Sequence, residues 1–199
     1  MPQQTLSYKG TTLGQEIFLL QNVIDSQTCQ HLISVADTAD FKNAGILMQT
    51  IDSDVRSNDL VQLGGDQALS QSTNQLILGK LAIVKQFLFD QYGVQFPYAE
   101  PCSILRYRTH QFYKRHVDNI LLSSRFQEVQ QGIPTRDISV VGYLNDDFEG
   151  GETYFDRQDV KVKPQAGSVL LFPSYFTHPH QSLPILKGTK YAFTSWLFH

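Results

Sequence analysis

The sequence predicts an α+β, mainly β fold: helices come first, then a β-sandwich or jelly roll that the helices buttress. Three observations carry this. The hydrophobic period changes along the chain, from helical before Pro97 to two after it. Eight short alternating segments follow that proline, the pattern of a two-layer β core. No repeat, low-complexity tract or linker divides the 199 residues, a length that suits one domain with a sizeable core. The expected organisation is one domain over 1–199, with helical support at about 24–93 and a β core at about 101–199.

Taken in order, residues 16–23 form a strand. Asp25 and Ser26 can cap a helix over about 27–37, because their side-chain oxygens accept from the first free N–H groups. The polar stretch 52–65 is a loop. Residues 67–92 carry the helical stripe Leu76, Ile77, Leu81, Val84 and Leu88, stopped by Gly93. That stripe is core. Strands follow at 102–108, 111–118, 138–145, 152–155, 160–162, 168–172, 178–183 and 190–198. In the last, Lys190, Ala192, Thr194 and Trp196 share one face; Tyr191, Phe193, Ser195 and Leu197 share the other. Both faces carry large apolar groups, so the strand is covered on both sides. Lys190 then points inward, where a lone ammonium is costly and needs an anion. Residues 119–135 are long and of mixed polarity, with Gly132 and Pro134, and read as a lid over a site or as a disordered stretch.

Composition limits the function. Apolar residues make up 41% and charged residues 18%, as in ordinary globular proteins, with Phe (13) and Tyr (9) plentiful and Trp196 the single tryptophan. A net charge of −3 predicts no general attraction to nucleic acid or to an anionic membrane. The most apolar stretch, 76–89, contains Lys80 and Lys85 and is no membrane span. The first ten residues hold no apolar signal core. A cytoplasmic, reducing setting follows as the expectation, with Cys29 and Cys102 as buried free thiols. Arg106, Arg108, Lys114 and Arg115 cluster. Solvated strand faces account for them, and recognition of an acidic or carbonyl-rich peptide is the alternative.

The chemistry lies in His116-Val117-Asp118. Residues i and i+2 of a strand share a face, so both side chains can reach one metal ion. A histidine from a distant strand, His178 or His180, would complete two imidazoles and one carboxylate. That facial set leaves three octahedral positions open and suits Fe(II) better than Mg2+, which prefers oxygen ligands and water. His31 reads as structural, and His110 and His199 as exposed. Gly150-Gly151 reads as a tight turn.

Further segments extend the pattern: Tyr113-Lys114-Arg115-His116-Val117-Asp118-Asn119, Tyr143-Leu144-Asn145, Gly150-Gly151-Glu152-Thr153-Tyr154-Phe155, Pro164, Gly167, Leu171-Phe172-Pro173, His180, Gly188-Thr189-Lys190-Tyr191-Ala192 and Trp196. In order and spacing, residues 105–199 resemble the prolyl 4-hydroxylase-like branch of the Fe(II)/2-oxoglutarate-dependent dioxygenases; the first helix and Arg56-Ser57 fit only loosely. The resemblance implies a double-stranded β-helix core and Fe(II) held by His116, Asp118 and His180. The ten-residue interval from His180 to Lys190 matches the family, which selects His180 over His178. The cosubstrate 2-oxoglutarate would meet Lys190 through its far carboxylate, with Tyr143 beside it. Tyr107, Tyr113 and Trp196 match aromatic positions near the site. The implied reaction uses O2 to hydroxylate a C–H bond and releases succinate and CO2, with ascorbate a candidate reductant. The implied substrate is a prolyl residue in a peptide or protein. Rivals are a free amino acid or other small molecule as substrate, and a non-catalytic β-helix binding protein, which would typically have lost one of His116, Asp118, His180 or Lys190. A nucleic-acid demethylase is disfavoured, since no arginine follows Arg157.

Overall fold

The computed structural model describes residues 8–39, 42–43 (backbone only), 55–119, 129–132 and 134–199. In chain order the elements are β1 (Lys9–Gly14), β2 (Ile17–Gln21), α1 (Ser26–Thr38), β3 (Lys42–Asn43), β4 (Asp59–Gln62), α2 (Ala68–Tyr92), β5 (Tyr98–Ala99), β6 (Ser103–Arg108), β7 (Tyr113–His116), β8 (Ile138–Tyr143), β9 (Glu149–Gly150), β10 (Thr153–Phe155), β11 (Val160–Val162), β12 (Val169–Pro173), β13 (His180–Ser182), β14 (Ile185–Lys187) and β15 (Thr189–Phe198). The major sheet runs β1-β2-β12-β8-β15-β6-β4-β3, with β5 also on β15. The minor sheet runs β11-β10-β13-β7, and β14 pairs with β9. All pairings are antiparallel.

Two cores sit on opposite faces of the major sheet. Inside the roll, Ile17, Leu19, Tyr143, Leu170, Phe172 and Ala192 meet Phe155 and Val162 of the minor sheet. Outside it, Phe18, Leu20, Val140, Leu171, Phe193 and Leu197 meet both helices. Strands β2, β12, β8 and β15 therefore alternate between two apolar environments, which is why they read as continuously apolar runs. The expectation for the last strand holds: Ala192 faces the roll and Phe193 faces the helices.

The helices form for the reasons their sequences suggest. Asp25 Oδ1 accepts from Thr28 N at 2.8 Å and caps α1. Lys80 of α2 reaches the same carboxylate, Oδ2 at 2.8 Å, and ties the two helices together. Gly93 ends α2 at φ 68°, a left-handed conformation that a β-carbon would penalise. Ile77, Leu81, Val84 and Leu88 form the buried stripe. No described helix is long and apolar enough to cross a membrane.

Three departures stand out. β1 lies on the sheet edge with almost no buried side chain, so it carries no alternation to read. β4 falls in the expected loop because its buried Asp59 mimics loop polarity; the carboxylate is paired with Arg106 (3.0 Å) and Arg108 (2.6 Å). β7 is shorter than expected, and Asp118 lies in a bend beyond it. Of the expected lid over 119–135, residues 120–128 and 133 lie outside the described residues.

Candidate active site

β7 and β13 are neighbours in the minor sheet, and their register places His116 opposite His180. The bend after β7 returns Asp118 between them. His116 Nε2 is 3.3 Å from Asp118 Oδ1, and His180 Nε2 is 3.7 Å from Asp118 Oδ2. Backbone carbonyls set the histidine tautomers. His116 Nδ1 is 2.8 Å from the Lys114 carbonyl, and His180 Nδ1 is 3.2 Å from the His178 carbonyl. A carbonyl only accepts, so Nδ1 carries a proton in each ring, and the Nε2 of a neutral imidazole can offer its lone pair. Burial, then the neighbouring His116, pushes the His180 imidazole down to about 4, so it is neutral. Burial opposes ionisation of Asp118, but the pull of His180 and His116 in their protonated forms and the hydrogen bond from Ser139 outweigh it and hold the carboxyl well below its usual range.

Two lone pairs and one carboxylate, all within 4.8 Å of one another, thus converge. With both imidazoles neutral in this tautomer, two Nε2 lone pairs face the carboxylate, an arrangement that a cation relieves. Two imidazole nitrogens and one carboxylate oxygen fit Fe(II). His178, the other histidine of this stretch, is committed elsewhere. Its Nδ1 lies 2.9 Å from Thr177 Oγ1 and its Nε2 2.7 Å from the Gln15 carbonyl.

The second part of the site is Lys190, with 2% of its surface exposed. Its Nζ donates to the Gly151 carbonyl (2.7 Å) and to Ser182 Oγ (3.2 Å). It lies 5.2 Å from the centre of the Tyr107 ring and 5.5 Å from that of Tyr143. The neutral partners leave its charge uncompensated, and burial pushes its pKa down to about 7 against the pull of Glu152. Tyr143 OH shares a 2.8 Å hydrogen bond with Thr153 Oγ1. Burial raises both phenols, Tyr107 to about 12, so both stay protonated. Gly150 and Gly151, read from sequence as a turn, do more than turn. A β-carbon on Gly151 would stand 2.4 Å from Ile185 Cδ1 and 3.3 Å from Lys190 Cδ, and on Gly150 it would strike the Pro184 carbonyl.

The match to the 2OG-Fe(II) oxygenase superfamily spans residues 102–198, which includes every one of these side chains. This chain carries a 2OG-Fe(II) oxygenase domain. Relatives include a provisionally named prolyl 4-hydroxylase of Acanthamoeba polyphaga mimivirus, 29% identical over 90% of this chain and 72% of its own length. Prolyl 4-hydroxylase 13 of Arabidopsis thaliana is 25% identical over 96% of this chain and 74% of its own. Prolyl 3-hydroxylase 2 of Homo sapiens is 37% identical over 41% of this chain, but that match covers only 13% of the human protein. Among solved structures, a Trichoplax adhaerens prolyl hydroxylase, in complex with a hypoxia inducible factor peptide fragment, superposes with a TM-score of 0.73 at 20% identity. It covers 92% of this chain and 83% of that one. A Pseudomonas putida prolyl-4-hydroxylase gives 0.67 at 20% identity, over 92% and 93%. The double-stranded β-helix expected from the motifs is the fold of the oxygenase.

The remaining predicted positions of the oxygenase fall in three places. Tyr113 stacks on His116, centroids 3.6 Å apart and planes within 14°, with the Arg56 guanidinium 4.5 Å beyond. Strict alternation would send Tyr113 and His116 to opposite faces. A bulge between the pairs His180–His116 and Ser182–Tyr113 inserts one extra β7 residue and turns both inward. Trp196 lies at the end of the Lys190 face, but its ring is covered by Arg136 at 3.6 Å. Arg136 forks onto Glu100 (2.6 and 2.8 Å) and donates to the Asp118 carbonyl at 3.0 Å. Sequence reasoning passed over Arg136, Glu100 and Ser139; only their return to the metal ligand through the fold distinguishes them. Three residues of the basic cluster are taken up by carboxylates, Arg106 and Arg108 by Asp59 and Arg115 by Asp156. Cys29 and Cys102 are buried thiols, pushed up by burial to about 11 and about 12 and unreactive there.

Proposed function

We propose that this oxygenase hydroxylates a prolyl residue in a peptide or protein, consuming 2-oxoglutarate and O2 and releasing succinate and CO2. One observation supports it above the rest. Ser182 lies two residues beyond His180 on β13, on the same face and about 7 Å further along the strand. Lys190 Nζ is 3.2 Å from that serine hydroxyl. An ammonium thus stands one strand repeat behind the metal donors, inside the roll, at a spacing suited to a short dicarboxylate lying between the two.

His116, Asp118 and His180 hold the Fe(II), which with its cosubstrate supplies the oxidising chemistry when bound. Lys190 neutralises the far carboxylate, and the Tyr143 and Tyr107 rings beside it exclude water and strengthen that contact. Tyr113 backs the His116 ring and fixes its plane. The two ends of the site differ in exposure. Lys190, Tyr107 and Tyr143 are sealed, whereas His116 and Asp118 are half-buried. The target therefore approaches from the His116–Asp118 side. The proline preference rests on the company of prolyl hydroxylases among the relatives.

The test is succinate release with Fe(II), 2-oxoglutarate and a panel of proline-containing peptides, with mass spectrometry for products heavier by one oxygen. His178→Ala should turn over, whereas His180→Ala should not. Turnover confined to a free amino acid would move the substrate assignment to a small molecule. An active His180→Ala would remove His180 from the ligand set.

A further inference from the structure

We propose that Ser139 and Ser174 form a buried hydroxyl relay that orients the Asp118 carboxylate and leaves Oδ1 as the oxygen offered to the metal. Ser139 Oγ is 2.7 Å from Asp118 Oδ2, and Ser174 Oγ is 2.8 Å from Ser139 Oγ. The direction of the chain is decided by its end. An ionised carboxylate only accepts, so Ser139 spends its single proton on Oδ2. Ser174 must then be the donor to Ser139. The relay runs Ser174 to Ser139 to Asp118, and each bond polarises the next.

Both serines are sealed, with 0% and 1% of their surfaces exposed, so no solvent competes with the relay. The hydroxyls stand on the major sheet, Ser139 in β8 and Ser174 one residue past β12, whereas the histidine ligands stand on the minor sheet. The backbone is pinned from the same side. Ser174 N donates to the Asp137 carbonyl, and Asn119 N, just past Asp118, donates to the Ser174 carbonyl, both at 2.9 Å. Asp118 lies in a bend rather than a strand, so these contacts replace the restraint that a sheet ladder would give it. With Oδ2 engaged by a hydroxyl, Oδ1 is the better donor, and it is the oxygen turned to His116 Nε2. Partners of this kind around metal ligands are worth about 10- to 100-fold in metal affinity.

The inference rests on the metal reading of His116, Asp118 and His180, and one titration separates the two. Co(II), an air-stable stand-in for Fe(II), is titrated into the metal-free full chain, following its visible absorption. Failure of the parent protein to bind Co(II) would sink the metal reading itself. If the parent binds, Ser139→Ala should weaken binding by roughly 10- to 100-fold and change the Co(II) spectrum. Ser174→Ala should weaken it less, and its effect should vanish when Ser139 is already alanine, since the two serines act in series. Ser139→Ala binding within twofold of the parent, with the same spectrum, would overturn the relay. So would a Ser174→Ala effect that persists without Ser139. Circular dichroism and melting of the metal-free variants check the fold. Should Ser139→Ala fail to fold, Ser174→Ala decides alone, and an unchanged affinity there overturns the relay.

Discussion

Lys190 is the residue whose chemistry is most exposed to test. Burial holds its pKa near 7, well under the 10.5 of a free lysine. A dicarboxylate bound beside it favours the ammonium and raises that value, so binding takes up a proton near neutral pH. The sign follows: 2-oxoglutarate affinity should be flat below about pH 6.5 and weaken by up to roughly tenfold per unit above pH 7. Isothermal titration across pH in two buffers of different ionisation enthalpy reads both the affinity and the proton uptake. Lys190→Ala should cost about 1.5–3 kcal/mol of binding, the scale of a charged hydrogen bond, and should flatten the pH profile. An affinity that ignores pH in the parent protein would show that the lysine charge takes no part. The residue was legible because an inward lysine on a doubly covered strand demands an explanation. The serines behind Asp118 were not, since isolated serines in strands carry no such demand.

At the scale of elements, the alternation of β15 was readable, and the bulge in β7 was not. A bulge leaves the composition of a strand unchanged and alters only which residues share a face. The close approach of β8 and β15 offers a cleaner test of packing. A β-carbon on Gly142 would fall 2.0 Å from Phe193 Cε1, so the ring of β15 occupies the space above that glycine. Gly142→Ala should therefore destabilise the protein by about 1–3 kcal/mol through overpacking, read as a lowered midpoint in urea. Gly79→Ala, where a β-carbon would meet nothing within 4 Å, should be neutral or stabilising because it sits inside a helix. Equal midpoints for Gly142→Ala and the parent would mean that Phe193 yields at no cost.

For the molecule as a whole, the period change after Pro97 located the β core, and the helical stripe located its support. What sequence could not convey is that the N-terminal hairpin closes the roll. β2 pairs with β12 and sends Ile17 and Leu19 into one core and Phe18 and Leu20 into the other. The superfamily match begins only at residue 102, yet that span lacks the hairpin and both helices. A fragment of residues 101–199 would bare Val140, Val169, Leu171, Phe193 and Leu197 together, an apolar face that favours aggregation. It should be insoluble or lack near-ultraviolet circular dichroism. A soluble fragment with native-like dichroism would show that the first hundred residues are dispensable for folding.

Strand β15 has one more consequence. Its alternate residues belong to two interiors, Lys190 and Ala192 to the roll, Phe193 and Leu197 to the helices. Any shift of the strand toward one interior is felt in the other. A library screened for altered 2-oxoglutarate demand should therefore return changes at Leu81 or Phe193 as well as around Lys190. Lineages descended from this chain could retune cosubstrate use by repacking helices, with every residue that touches the cosubstrate left as it is.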